Sequence, residues 1–169
     1  NVTAQLILRY VTESRNGGQS DEHHEREGIG GAHYLVDIRN ELTDAIGKYG
    51  FILKNDATRS IGLMFGARQH HLTSTYGLRR YNAEQKSLYG NAVYQMLLHG
   101  GTDDLKTGIS LQTDDYEEVY MDSSFARNEV MPGAFVEYTM KRGAFTAVAG
   151  LRADLNSWYG SAVSPRLHV

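Results

Sequence analysis

The sequence has 169 residues, enough for one domain of ordinary size, and a formal net charge of −3. That balance excludes a broad electrostatic attraction to nucleic acid, so no nucleic-acid partner is expected. The absence of cysteine excludes a disulfide framework and thiolate metal sites. No apolar run reaches the ~18 residues a transmembrane helix needs.

Tyrosine is frequent at 11 and proline scarce at 2, which suits extended sheet. In chain order, residues 2–11 alternate, with Val2, Ala4, Leu6, Leu8 and Tyr10 on one side and Thr3, Gln5, Ile7, Arg9 and Val11 on the other. Such alternation marks a strand with one apolar and one polar face. Residues 12–39 read as a loop, polar and glycine-rich up to about 32. A second strand over 41–53 puts Ala45, Gly47, Tyr49, Phe51 and Leu53 on the apolar side, although 39–49 also tempts a helical reading. A short turn at Asn55-Asp56-Ala57-Thr58-Arg59 leads to Ile61, Leu63, Phe65 and Ala67, opposite Gly62, Met64, Gly66, Arg68 and His70.

A loop is expected over 71–83, then a strand carrying Leu88, Ala92, Tyr94, Met96 and Leu98 on one side. After the turn at 99–104, Leu105, Thr107, Ile109, Leu111 and Thr113 alternate with Lys106, Gly108, Ser110, Gln112 and Asp114. An acidic loop is expected over 116–128. The strand that follows, to about 140, sets Ala134, Val136, Tyr138 and Met140 against Phe135, Glu137 and Thr139. A turn at Lys141-Arg142-Gly143 opens the clearest alternation in the chain: Phe145, Ala147, Ala149, Leu151, Ala153 and Leu155. A last strand repeats it with Val163, Pro165, Leu167 and Val169.

The expectation is therefore all-β: about eight antiparallel strands in an up-and-down meander, read as a transmembrane β-barrel segment. Short turns alternate with longer loops, as in outer-membrane barrels. Charged and polar residues project from one side of the strands, at Arg9, Lys48, Arg68, Gln95, Lys106, Gln112, Glu137, Arg152, Asp154, Arg166 and His168. Tyr10, Tyr94 and Tyr138 on the other side fit an interfacial aromatic belt. The competing expectations are a complete eight-stranded outer-membrane barrel of structural or adhesive role, and a soluble antiparallel sandwich. The chain starts at Asn1 and stops at Val169 inside a strand, so a piece of a longer polypeptide is expected.

An ordered set of segments carries a family resemblance. They are Arg59-Ser60-Ile61-Gly62-Leu63, Gln85-Lys86-Ser87-Leu88-Tyr89-Gly90-Asn91, Leu105-Lys106-Thr107-Gly108-Ile109-Ser110, Asp114-Asp115-Tyr116, residues 130–138, residues 148–154 and Ser164-Pro165-Arg166-Leu167-His168. Together they resemble the barrel of TonB-dependent outer-membrane receptors of Gram-negative bacteria, over most of residues 40–169. The resemblance implies a plugged barrel of 22 strands in the cell outer membrane, taking up siderophores, haem, cobalamin or glycans. It implies outer-membrane lipid around the wall and a TonB complex engaged through an N-terminal region this sequence does not contain. It implies that the whole of residues 1–169 is an interior slice of such a barrel, without the plug domain.

Under that reading, the candidates for a substrate-facing lumen are Arg9, Lys48, Arg68, His70, Gln112, Asp114, Glu137, Arg152, Asp154 and Arg166. Guanidinium groups suit anionic substrate groups, and they equally cross-link a polar wall. His23, His24, His70 and His71 are weak candidates for metal or haem. Neighbouring histidines on an extended chain point apart, so no cofactor is expected. The runs Asp21-Glu22 and Asp114-Asp115-Tyr116-Glu117-Glu118 lack EF-hand spacing for calcium. Without a G-x-S-x-G elbow, HExxH, Walker or GxGxxG pattern, enzymatic activity is not expected.

Overall fold

A computed structural model describes residues 2–18, 35–54 and 56–169. They form one sheet of eight strands in chain order, each antiparallel to the next: β1 (Val2–Gly18), β2 (Leu35–Leu53), β3 (Asp56–Tyr76), β4 (Arg79–Leu98), β5 (Asp103–Tyr120), β6 (Ser123–Arg142), β7 (Phe145–Asn156) and β8 (Gly160–His168). The segment 39–49 lies in β2, so period 2 governs it. The only helical element among the described residues is a 3-10 turn, His99–Gly101. β1 and β8 are not paired with each other, so the sheet is open.

All eight expected strands are present, but most are longer than the alternation indicated. The loop expected over 71–83 is strand on both sides of a turn at Gly77-Leu78. The loop expected over 116–128 is strand around a turn at Met121-Asp122. Of the loop expected over 12–39, residues 12–18 belong to β1 and 35–39 to β2. In all three regions polar and apolar residues are mixed on both faces, as with Leu35, Val36 and Ile38 beside Asp37 and Arg39. Backbone pairing continues there although the alternation that reveals a strand has stopped. The tight turns are made where φ is positive, as at Gly77 (61°) and Gly143 (60°).

The register explains the two faces. One unbroken hydrogen-bonded row runs Ala4, Tyr49, Leu63, Ala92, Ile109, Ala134, Ala153, Val163, apolar at all eight strands. Towards the 77–78 and 121–122 turns the same face becomes polar along the row Tyr10, Thr43, Gln69, Lys86, Asp115, Asn128. The apolar residues thus form a band across part of each long strand. The band also steps down relative to the rows: it ends at Tyr10 in β1 but at Val163 in β8, which lies on the row of Ala4.

No apolar side chain among the described residues is buried. The buried side chains are polar: Asp44, Ser74, Asp103, Ser110 and Asp114. The described residues form a single layer with nothing among them packed on either face. On the apolar face Phe65 lies over Gly47, which sits opposite it on β2, where a side chain would collide with the ring.

Candidate functional site

The polar face is a cross-linked surface built row by row. One row reads Arg9, Asp44, Arg68, Ser87, Asp114, Glu129 on six consecutive strands. Asp44, only 3 % exposed, accepts from Arg9 on one side and from Arg68 Nη2 at 3.4 Å on the other. Further along, Asp114 accepts from Ser87 Oγ at 2.5 Å, Gln112 Nε2 at 2.7 Å and Gln85 Nε2 at 3.3 Å. An open depression lies between these two carboxylates, with Arg68 and Tyr89 on its lining.

Nearer the short turns the pairs span glycines. Glu137, Gly150 and Arg166 are consecutive on one row, and Arg166 Nη1 reaches Glu137 at 3.2 Å across the glycine. Arg152 holds Asp154 through Nε at 2.8 Å and Nη2 at 2.7 Å, and its Nη2 also donates to Ser110 Oγ at 3.0 Å. That last bond passes over Gly133, where a methyl group would meet Asp154, Ser110 and Arg152. Lys106 lies between Asp104 at 3.2 Å and Glu137 at 3.9 Å. Asn91 Oδ1 and Asp104 Oδ1 are buried without a partner among the described residues.

All ten residues expected to line a lumen lie on this one face. Eight fall into the clusters just described. His70 bonds Asn40 Oδ1 at 2.5 Å, and Lys48 has no ion-pair partner among the described residues. The arrangement can hold a charged or hydroxyl-rich solute by exchange of bonds, because nearly every charge already has a counter-charge. Sequence reasoning left out Asp44, which organises the Arg9–Arg68 pair. Its mid-strand position on the polar side, between Thr43 and Ala45, was the available signal.

The metal candidates do not come together. His70 is on the polar face and His71 on the opposite one, bonded to Thr73 Oγ1 at 3.2 Å. His23, His24, Asp21 and Glu22 lie outside the described residues. Asp114 and Glu118 share the polar face, whereas Asp115 and Glu117 point away from it. No group of three or more metal-capable side chains occurs among the described residues.

The molecule is thus defined as a single-layer, two-faced antiparallel meander. No family model matches the sequence, and no curated protein matches it. Among solved structures, it is similar to the siderophore receptor PirA from Pseudomonas aeruginosa, with 14% identity and a TM-score of 0.49, over 95% of this chain. The chain spans 30% of the length of that receptor chain.

Proposed function

We propose that this sheet is part of the wall of a TonB-dependent outer-membrane receptor, its apolar band against lipid and its polar face lining the path of a scarce nutrient. One observation carries the membrane-wall reading: a continuous apolar row crosses eight strands while no apolar side chain among the described residues is buried. In water such a face would need a second layer. In a bilayer, lipid supplies it, and backbone groups are satisfied between strands.

The step in the band adds geometric support. A descent of six residues over seven strand spacings corresponds to a strand tilt of about 30°, near the ~35–45° of membrane barrels. The length of β2 to β6, 18 to 21 residues, exceeds the ~10 a tilted crossing needs, so these strands rise beyond the bilayer. The open edges of β1 and β8 favour a wall continued by further strands. The choice of TonB-dependent receptor rests on the ordered segments in the sequence. Substrate capture would then fall to the polar face and the protruding strands, with energy supplied through a plug.

These 169 residues lack cysteine, so single-cysteine variants on a cysteine-free background of the full-length protein test the orientation directly. Leu63→Cys and Ile109→Cys should resist a water-soluble maleimide and, once labelled with a membrane-permeant bimane, be quenched by brominated lipid, while Met64→Cys and Lys48→Cys on the polar face react with the maleimide. Equal reactivity of both sets removes the membrane reading. Uptake that survives loss of the TonB complex removes the receptor reading and leaves the wall intact.

A further inference from the structure

β7 pairs with β6 only from Gly133 to Arg142. Residues 123–132 of β6 are therefore held by β5 on one side and face no strand on the other, among the described residues. Val130 shows which backbone groups look out over this free edge. Its amide donates to Ser157 Oγ at 3.0 Å, and its carbonyl accepts from Ser157 N at 3.1 Å. In an antiparallel strand alternate residues turn both groups to the same side. Asn128, Ala126 and Ser124 consequently face outward too. Trp158 Nε1 occupies the Asn128 carbonyl at 2.5 Å. The remaining outward groups of Asn128, Ala126 and Ser124 have no partner among the described residues.

Natural proteins blunt such an edge with proline, bulges, charge or a covering segment. Here the only proline is Pro132, at the foot of the free stretch, and the register with β5 runs to Ser123 without a shift. Ser157 and Trp158 cover Val130 and the Asn128 carbonyl, and the charged Arg127 and Glu129 pair with each other at 2.7 Å. From Ala126 to Ser123, however, the edge is paired from behind and, among the described residues, open in front.

We propose that this edge accepts an extended cationic segment of a partner protein, added as one more strand, with lysines on one face and apolar residues on the other. Charge complementarity sets that pattern. Ala126 is small, and behind it on the same row stand Glu117 and then Glu84. Glu84 is paired with Lys86, whereas Glu117 has no ion-pair partner among the described residues. A lysine opposite Ala126 reaches over its methyl group to Glu117. On the other face Phe125, 59% exposed, offers an apolar contact to the added strand. Main-chain bonds give the affinity and alternate side chains the selectivity, as in strand addition generally. The proposal depends on backbone geometry and stands apart from the transport reading.

The test uses the full-length protein in detergent and a decapeptide of alternating valine and lysine. The peptide should slow amide hydrogen exchange at Ser124 and Ala126 by about tenfold. Ala126→Pro removes an outward N–H without touching the β5 ladder, a substitution that edge strands accept. It should weaken binding about tenfold, and Glu117→Gln about threefold. The same decapeptide N-methylated on alternate amides, which cannot pair, should not bind. The proposal is overturned if Ser124 and Ala126 are already protected without peptide, because the protein's own chain then covers the edge. It is also overturned if the methylated peptide binds like the parent, which would leave bare charge attraction, or if Glu117→Gln changes nothing.

Discussion

Asp44 shows what a single carboxylate does on this surface. It joins three strands by accepting from Arg9 and Arg68, yet both guanidinium groups remain about half exposed. Solvent screens their attraction, so Asp44→Ala should cost about 1 kcal/mol, well short of the 3–5 of a fully buried pair. The guanidinium unfolding midpoint of the full-length protein checks this, and a loss near 4 kcal/mol would mean the row is far drier than the geometry indicates. Gly133 makes a second case. Gly133→Ala places a methyl group under the Arg152–Asp154 pair, and these side-chain ends can swing aside. The expected loss is the Arg152–Ser110 bond, about 1 kcal/mol, without a change of fold. Glu84, on β4 above the apolar band, gives the pH dependence. The Lys86 ammonium first, and the Gln69 amide second, hold its carboxyl below the usual carboxylate range. A lowered folded-state pKa stabilises the fold above the unfolded value, and that contribution fades as pH falls below about 5 through the lowered value. Glu84→Gln should therefore flatten the acid side of the stability profile and leave the neutral side little changed in shape.

The strands are the scale at which sequence was most informative, and also where it stopped. The runs 145–155 and 61–67 have one oily and one polar side, and both lie within strands on the expected faces. Glu84, Gln85 and Lys86 are polar on both sides, as are Asp114 and Asp115, so nothing there distinguishes strand from loop. Only pairing across the sheet does, and pairing is not local. The same limit hid the Arg9–Asp44 contact, whose partners are 35 residues apart. By contrast Arg152 and Asp154, two apart on one face, could be seen to be neighbours. The face assignment makes a sharp forecast for paired substitutions. On the proposed wall reading, Leu63→Arg should destabilise the inserted protein by about 2–4 kcal/mol, the cost of a charge at mid-bilayer, whereas Met64→Arg on the adjacent polar-face position should cost about 1 kcal/mol or less. Equal penalties, read from reversible folding into lipid vesicles, would contradict the two-faced assignment.

For the molecule as a whole, the stepped band sets how the sheet would stand in the proposed membrane wall. Polarised infrared dichroism on oriented bilayers should return strands inclined by about 30° to the membrane normal. A value near zero would mean that the hydrogen-bonded rows, and not the descending band, lie parallel to the surface. The strand lengths add one more consequence. The hairpin of β3 and β4 turns at Gly77-Leu78 and that of β5 and β6 at Met121-Asp122, yet β7 and β8 already turn at 157–159, level with Asn128 and Val130. On the proposed wall reading, a rim built this way is a parapet with a low sill, so entry would be lateral as well as from above, and bulk would be admitted over β7 and β8 more easily than over β3 to β6.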